Sequence, residues 1–453
     1  MSDTPMRAGV DAYLARQAAR FHMPGHKGAL PHPFAQVAPY DITEVAGVDS
    51  LYEAEGIIRQ TEDVYRALYG SAGSFLSAGG STLCIQAMLA LAKLPGNAPA
   101  KILCGRGVHT AAVNAMALLD WTPVWLYPDA RDAHGLTGAI APQAVAQALA
   151  QDADIAAVYL TSPNYYGVLC DIAAIAAICR QYGVPLLVDN AHGAHLKFLP
   201  QSLHPMDLGA DVCTDSLHKT LPVLTGGALL HIGRAEYCAD AKRKMALFGS
   251  TSPSYLIMLS ADMALEYLHD RAAADTRRVA GIIAELAELA AVQGFTLPGA
   301  GWQTDPLRLT LGFRPLGFAA QDFGDYIRAR GIEPEYLGES YCVLLASPTT
   351  ADADLARVRA AITQAAANSP KRADDATVTA TAWEKPIAAM SLREAMFAPT
   401  ERVAVAESAG RVASGLCAPC PPGIPLVVPG EKISDNMVRA LKNYGIFCIN
   451  VVK

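Results

Sequence analysis

The sequence lacks the long features that are typical of membrane proteins and of nucleic-acid-binding proteins. No apolar run approaches the ~18 residues that a membrane-spanning helix needs, and the N-terminal segment MSDTPMRAGVDAYLARQAAR contains no apolar signal core. A long basic run is also missing, and the formal net charge is −7, so neither nucleic acid nor an anionic membrane is an expected partner. We therefore expect an intracellular, cytoplasmic protein.

Disulfide and zinc patterns are missing as well. The ten cysteines are scattered through apolar segments, which is typical of reduced thiols in a cytoplasm. One CxxC pair, Cys417 and Cys420, lies in the proline-rich stretch CAPCPPGIP. Because no second pair with zinc spacing accompanies it, we interpret this pair as structural and expect no metal.

The chain alternates between short apolar strand-like runs and helical patterns. The runs KILCG, WTPVWL, DIAAVYL, VPLLVD and ADVCTD are separated by segments of helical spacing such as 172–182. This alternation predicts an α/β fold with a mostly parallel central sheet and helices on both faces. Helical and smaller α+β patterns follow from about residue 242. The predicted organisation is an N-terminal arm and acidic loop (1–55), a large domain (56–250), a small α+β domain (251–365), a linker (366–389) and a C-terminal domain (390–453).

Polar side chains follow two of the predicted strands. Asp189 and His192 come after PLLVD, and Ser216, His218 and Lys219 come after ADVCTD. Ligands of open α/β sheets bind outside the carboxyl ends of the strands, so both groups could face one bound molecule. A lysine for an imine and an acid for a pyridine nitrogen are what a pyridoxal phosphate site requires.

A glycine-rich turn and a histidine add to this pattern. In SAGGST, a strand-like run breaks at Gly79 and Gly80, and Ser81 and Thr82 cap a helix. Glycines allow close approach of a ligand to the backbone, and a helix start attracts a phosphate. An ordinary helix cap has the same sequence pattern, and His109, after KILCG, would by itself be read as a structural residue.

Taken in order, these motifs resemble a known family. PGHKG, DITE, SAGGST, His109, DNAH and SLHKT are followed by GSTSPSYL (249–256), SLREAMF (391–397) and PPGIPLVVPGE (421–431). The chain resembles the ornithine/lysine/arginine decarboxylases, which depend on pyridoxal phosphate and have the aspartate-aminotransferase fold (fold type I). It is most similar to their short form without the N-terminal wing domain, and the resemblance covers nearly the whole chain.

The resemblance implies roles for single residues. Lys219 would form the imine with the cofactor, and Asp189 would lie beside the pyridine nitrogen and favour its protonated form. His109 would stack on one face of the ring and Ala191 would lie on the other. His218 would act near the substrate carboxylate or the proton-transfer site.

The phosphate site implied by the resemblance includes backbone amides and hydroxyl groups from several segments. Thr251 and Ser252 match a turn that reaches the phosphate from a neighbouring subunit, which implies a homodimer or a higher homo-oligomer with shared active sites. The full set of implied cofactor-binding residues is Gly80, Ser81, Thr82, His109, Asp189, Ala191, His192, Ser216, Lys219, Thr251 and Ser252.

The sequence also departs from the family pattern. The family commonly has Asp-Glu-Ala where this chain has Asp189-Asn190-Ala191, which removes one charge near the ring. Cys420 replaces an aromatic residue before PPGIP, and Gly338 and Glu339 stand where an aspartate is expected.

The expected reaction is decarboxylation of a basic amino acid (arginine, lysine or ornithine), giving carbon dioxide and an amine for polyamine biosynthesis. Acidic residues from Asp41 to Glu55, with Glu335 or Glu339, would suit a cationic side chain. Two alternatives stay open: another reaction on the same fold, such as transamination or lyase chemistry, and a non-catalytic relative that binds a polyamine or a partner enzyme.

Overall fold

The computed structural model describes residues 4–93, 100–128, 132, 136–299, 301–370, 385–417 and 425–453. Cys420 and most of the predicted linker at 366–389 lie outside the described residues. By its contacts the chain divides into two compact units. The first unit comprises Met1–Ala92 and Pro185–Arg277, and the second comprises Lys93–Val184 and Arg278–Lys453.

The α-helices of the described residues range from one turn to 21 residues. They are α1 (Pro5–Ala15), α2 (Ile57–Tyr69), α3 (Gly80–Ala92), α4 (Thr110–Leu118), α5 (Pro142–Gln151), α6 (Ile172–Tyr182), α7 (Leu217–Thr220), α8 (Cys238–Ala246), α9 (Tyr255–Asp270), α10 (Ala272–Val292), α11 (Ala320–Arg328), α12 (Asp352–Ala365), α13 (Leu392–Phe397) and α14 (Asp435–Asn443).

The strands are short. They are β1 (Gly73–Ser77), β2 (Ala100–Gly105), β3 (Trp121–Leu126), β4 (Ile155–Thr161), β5 (Leu186–Asp189), β6 (Val212–Asp215), β7 (Ala228–Ile232), β8 (Arg308–Gly312), β9 (Tyr336–Leu337), β10 (Tyr341–Leu345), β11 (Ile387–Ala388), β12 (Thr400–Ala404), β13 (Glu431–Lys432) and β14 (Cys448–Val452).

In the first unit, four strands lie in the order β1-β7-β6-β5. β5 and β6 are parallel, whereas β7 pairs antiparallel with both β6 and β1. All residues of these four strands are buried. Strands that are covered on both faces become continuous apolar runs such as PLLVD, which explains why the strands could be recognised from the sequence.

Helices α1, α2 and α9 pack together in the apolar core of the first unit, with Met6, Val10 and Ile58 fully buried. One carboxylate ties this helical layer together. Asp262 in α9 accepts the N–H groups of Met6 and Arg7, at 3.1 and 2.8 Å, at the start of α1. Because the first N–H groups of a helix have no partner within it, this contact fixes the N-terminal helix on the unit.

In the second unit, β4, β2 and β3 are parallel and lie in that order. Further along the chain, β8, β10 and β9 form an antiparallel sheet whose apolar core includes Phe313 and Phe323 from the α10–α12 region. The C-terminal part has two small antiparallel sheets, β11-β13 and β12-β14. The α/β class with a mostly parallel sheet is confirmed by these strand directions.

Some boundaries differ from those expected from the sequence. Helix α3 begins at Gly80, so Ser81 and Thr82 lie inside its first turn rather than before it. Among the helices of the described residues, none is long and apolar enough to cross a membrane. The domain boundaries given above stay predictions.

Candidate active site

The two polar clusters predicted from the sequence belong to adjacent parallel strands of the first unit. Asp189 at the end of β5 lies opposite Thr214 of β6 in the strand register. Ser216 follows β6 directly and Lys219 lies in the one-turn helix α7. The Nζ atom of Lys219 lies 3.1 Å from Nε2 of His192, which follows β5. The structure therefore brings the predicted lysine into contact with the loop that carries the predicted acid.

Asp189 is a buried carboxylate, 2% exposed. Its Oδ1 atom accepts the N–H of Ala191 at 3.1 Å, and Ala191 is itself buried. A carboxylate that is removed from water and held by its own loop has a fixed orientation. Its charge is only weakly screened there, so it acts strongly on any cation placed beside it.

Ser216 and His218 share contacts at the start of α7. The buried Ser216 hydroxyl lies 3.3 Å from Nδ1 of His218. The same ring atom accepts the N–H of Gly226 at 3.3 Å and lies 3.2 Å from the carbonyl of Gly227. The Nδ1 edge of His218 is thus fixed by its surroundings.

The turn between β1 and α3 is built around two glycines. Gly80 has a φ of +67°, and among the described residues no atom from outside its own stretch of backbone lies within 4 Å of the position that a Cβ would take there. The Ser77 hydroxyl accepts the N–H of Gly79 at 3.1 Å, and Gly80 donates to the carbonyl of Gly226 at 2.8 Å. The left-handed backbone favours glycine at this position. Because glycine has no side chain, space is left open beside the first residue of the 13-residue helix α3.

His109 belongs to the second unit, where it caps helix α4. Its Nδ1 atom accepts the N–H of Ala111 at 3.2 Å. This contact explains why a histidine can begin that helix, since a cap residue supplies an acceptor to an unpaired N–H. The stacking role that the resemblance implies for His109 stays a prediction.

Thr251 and Ser252 are exposed in the turn before α9. Ser252 donates its N–H to the Ser250 hydroxyl at 3.1 Å, and Ser254 caps α9 by accepting the N–H of Ile257 at 3.5 Å. The turn therefore has a defined conformation and presents two hydroxyl groups at the surface of the chain.

Sequence reasoning missed a buried polar cluster behind the two strand ends. Asp215, the last residue of β6, is fully buried and accepts hydrogen bonds from Nδ2 of Asn190 at 2.7 Å, Nε2 of His204 at 3.0 Å and Nε2 of His231 at 3.3 Å. We call these four residues the Asp215 cluster. Asp215 is the last residue of the buried strand VCTD, and His231 interrupts the apolar run ALLHI. A titratable residue in such a strand is the sequence signal that marks them.

The hydrogen-bond directions of the Asp215 cluster follow from its surroundings. Met206 donates its N–H to Nδ1 of His204 at 3.3 Å, so the neutral His204 ring has its proton on Nε2 and donates to Asp215. Burial lowers the pKa of His231, so this ring is neutral too. It donates from Nε2 to Asp215 and accepts at Nδ1 from the Ser74 hydroxyl, 2.8 Å away.

Burial acts to raise the pKa of the Asp215 carboxyl, but the hydrogen bonds from His204 and His231 outweigh it, so this pKa lies below its ordinary value and Asp215 is ionised. His204, Asp215 and His231 also have donor atoms within 4.8 Å of one another, a spacing at which such groups could hold a metal ion. The hydrogen bonds described above already use these same atoms.

Arg308 is buried in β8 of the second unit. Its Nη1 atom donates to the carbonyl of Tyr165 at 2.6 Å, and Asp305 lies 3.7 Å from its Nη2 atom. The hydroxyl of Tyr165 donates to Glu335 at 2.9 Å. The guanidinium is thus engaged by groups of its own unit.

The acidic block at 41–55 is only partly available to a ligand. Asp49 accepts the N–H groups of Gly56 and Ile58, at 2.8 and 3.1 Å, and so caps α2. Asp41 lies 3.1 Å from Nε2 of His26. The remaining acidic residues are exposed: Glu44, Glu53 and Glu55.

Comparison with solved structures defines the class of fold. The lysine decarboxylase of Francisella novicida superposes with a TM-score of 0.81 over 99% of this chain and 81% of its own length, at 17% sequence identity. An alanine–glyoxylate aminotransferase from Nostoc matches 68% of the chain with a TM-score of 0.55. The fold is therefore the fold type I architecture predicted from the sequence.

The family follows from the sequence comparisons. The model of the Orn/Lys/Arg decarboxylase major domain matches residues 4–292, and that of the C-terminal domain matches residues 375–447. The chain belongs to the Orn/Lys/Arg decarboxylase family. An arginine decarboxylase of Bacillus subtilis is 29% identical over 97% of this chain and 94% of its own length. The resemblance inferred from the motifs is thereby confirmed.

Proposed function

We propose that this protein is a pyridoxal phosphate-dependent decarboxylase of a basic amino acid, with arginine as the first candidate substrate. The observation that carries the proposal is the placement of Asp189 at the end of β5 and of Lys219 in the one-turn helix that follows the adjacent parallel strand β6, a place where α/β folds bind ligands. Membership of the Orn/Lys/Arg decarboxylase family supports the reaction. The similar Bacillus subtilis protein is an arginine decarboxylase, which supports arginine as the substrate.

The residues of the first unit fit this cofactor. A lysine and a buried carboxylate lie on neighbouring strand ends, and Gly80 leaves open space before the start of α3. The first N–H groups of a helix have no intrahelical partner and attract a phosphate. Lys219 would hold the aldehyde carbon, Asp189 the ring nitrogen, and Gly80, Ser81, Thr82 and Ser216 the phosphate.

Pyridoxal phosphate supplies an electron sink for the bond that breaks when carbon dioxide leaves. The contribution of Asp189 is electrostatic: its buried negative charge favours a proton on the ring nitrogen. Ala191 next to it has a side chain small enough to leave room for the flat ring, and His192 contacts Lys219. Because the Nδ1 edge of His218 is already fixed, we assign any proton transfer by this ring to Nε2.

The phosphate site is proposed to be shared between two copies of the chain. Thr251 and Ser252 are exposed in a turn of defined conformation, so their hydroxyl groups are available to a neighbouring subunit. His109 is proposed to stack on the cofactor ring. A homodimer, a cytoplasmic location and a role in polyamine synthesis belong to the same proposal.

Selectivity for a cationic side chain is proposed to come from exposed acidic residues. Glu44, Glu53 and Glu55 are free of the capping role that Asp49 has. Arg308 is not expected to clamp the substrate carboxylate, because its guanidinium contacts Tyr165 and Asp305 within its own unit. A substrate carboxylate that no arginine holds would be free to take the position in which the cofactor can accept the electrons of its bond to Cα as carbon dioxide leaves.

The test is a carbon dioxide release assay with arginine, lysine and ornithine side by side, together with analysis of the amine and keto-acid products. We expect release of carbon dioxide and the matching amine, with arginine turned over fastest. A keto acid without carbon dioxide would favour an aminotransferase. Absence of both products and of cofactor uptake would favour a non-catalytic binding protein.

A further inference from the structure

Asn190 and Asp215 form a direct contact between the two strands that carry the proposed active site. The Nδ2 atom of Asn190 donates to Oδ1 of Asp215 at 2.7 Å, and both side chains are fully buried. Asn190 follows Asp189 directly, and Asp215 precedes Ser216 directly. The contact therefore lies one residue away from a proposed cofactor ligand on each strand.

The backbone of Asn190 is fixed by the same neighbouring strand. Its N–H donates to the carbonyl of Thr214 at 3.0 Å, and its own carbonyl accepts the N–H of Gly193 at 2.8 Å. Main-chain and side-chain contacts thus hold residue 190 at two points. A change at this residue would move Asp189, since the two are adjacent in the chain.

The charge of Asp215 restricts what residue 190 can be. Asp215 is an anion whose partners, Asn190, His204 and His231, are all neutral donors. The family commonly has a glutamate at position 190. A carboxylate there would lie against a second buried carboxylate with no cation between them, which forces one of the two to take up a proton. An amide satisfies Asp215 without this cost.

We propose that Asn190 and Asp215 are a coupled positioning pair: Asp215, through Asn190, fixes the loop that carries Asp189, and the amide at position 190 is required because position 215 is charged. The inference rests on the proposed function for the role of Asp189. His204 and His231 donate hydrogen bonds to the second carboxylate oxygen, Oδ2, of Asp215.

An exchange of the two side chains isolates this coupling, because aspartate and asparagine have nearly the same shape. In Asn190→Asp, two buried carboxylates face each other. In Asp215→Asn, the Asn190 amide can turn so that its Oδ1 atom, which has no hydrogen-bond partner among the described residues, accepts from the new amide. In the double variant, an amide at 215 donates to a carboxylate at 190, while its oxygen accepts from His204 and His231.

The experiment compares wild type, both single variants and the double variant in three measurements: the denaturant midpoint, retention of pyridoxal phosphate on dialysis, and the visible absorption of the bound cofactor. Asn114→Asp is the matched control, since it adds the same charge on an exposed position of α4. We expect Asn190→Asp to weaken cofactor retention by about tenfold or more, as a lost interaction of about 1.4 kcal/mol would. Asp215→Asn should have a smaller effect, and the double variant should recover most of the loss.

Two results would contradict the proposed coupling of Asn190 and Asp215. If the double variant shows the product of the two single losses, residues 190 and 215 act independently. If the purified wild-type protein contains a stoichiometric metal ion that Asp215→Asn removes, the cluster is a metal site and not a hydrogen-bonded one.

The absorption spectrum separates positioning from folding alone: a shifted or diminished band in Asn190→Asp at saturating cofactor supports positioning, and an unchanged band contradicts it. A wild-type protein that takes up no cofactor would refute the proposed function, while the four denaturant midpoints would still decide the coupling.

Discussion

Two buried carboxylates of this molecule are stabilised in opposite ways. Asp215 in the first unit is held by neutral donors, and the cluster keeps a net negative charge. Glu431 in the second unit is paired with the buried Arg106 through two hydrogen bonds, of 2.5 and 2.9 Å. Arg106 also lies over the ring of Trp125, 5.0 Å from its centre.

Buried charge is left uncompensated in the first of these two regions and is neutralised in the second. The Arg106–Glu431 pair cancels its charge locally, as expected of a contact that holds segments of a fold together. The Asp215 cluster adds a second buried anion beside Asp189 in the unit that carries Lys219. Burial raises the pKa of the Cys213 thiol, and the charges of Asp215 and Asp189 raise it further, so both fields reach the same part of the core. A cationic ring nitrogen would be stabilised there.

The largest expected effect tests the charged region directly. Asp189→Ala removes the carboxylate proposed to hold the ring-nitrogen proton, and turnover should fall by about a hundredfold or more. Cofactor attachment to Lys219 should persist, as judged by visible absorption. Asp240→Ala, at an exposed position of α8, is the control. Near-normal turnover in Asp189→Ala would show that another group protonates the ring.

Substitutions in the Arg106–Glu431 pair should change the free energy of unfolding. Glu431→Gln leaves the Arg106 cation buried without its carboxylate, which should cost about 3–5 kcal/mol in the free energy of unfolding. Replacing both partners, as in Arg106→Met with Glu431→Leu, should restore much of this loss, because it removes both buried charges. Denaturant unfolding measures the two variants, and equal losses in both would contradict the account of this pair.

The two regions should also differ in acid. The pKa of Asp215 is lowered in the folded protein, so the unfolded chain binds the proton first and stability falls as the pH drops below the ordinary value of 3.8. The lowered pKa of His231 acts in the same direction from its ordinary value of 6.5 downwards. We expect Asp215→Asn to flatten the acid limb of a stability–pH curve, and an unchanged limb would argue against an ionised Asp215.

The smallest effect concerns an acidic residue that was a candidate for the substrate entrance. Asp49 caps α2 through the N–H groups of Gly56 and Ile58, so Asp49→Ala should cost about 0.5–2 kcal/mol of stability. The Michaelis constant for arginine should not change. Glu53→Ala removes an exposed acid of the same block. If this block attracts the substrate, this variant should raise the Michaelis constant for arginine and leave the stability unchanged.

Local sequence patterns predicted the parts of the candidate site that stand at the end of a strand, just after a strand or at the start of a helix. Asp189 and Lys219 follow continuous apolar runs, and the glycine break at Gly80 precedes a clear helix, so strand ends and a helix start could be recognised. The motif order then identified the family. The start of α3 was predicted too late, with Ser81 and Thr82 as caps, whereas the helix begins at Gly80. Serine and threonine also occur inside the first turn of a helix, so these residues did not mark the start.

The Asp215 cluster could not be predicted in this way. Its members come from four separate segments and meet only because β5, β6 and β7 are neighbours, and a single polar residue in an apolar strand does not reveal its partners. The antiparallel direction of β7 was hidden for the same reason, since ALLHI has no feature that distinguishes the two directions. The family pattern marked Asn190 as a departure but gave no reason for it.

Attachment of pyridoxal phosphate to Lys219 can be tested directly by locating the cofactor on the chain. Protein incubated with pyridoxal phosphate is reduced with borohydride, digested, and mapped by mass spectrometry, with Lys219→Ala treated in parallel. We expect the reduced cofactor on the peptide that contains Lys219, and we expect this label to be lost in the variant. Label confined to other lysines, or equal labelling of the variant, would contradict it.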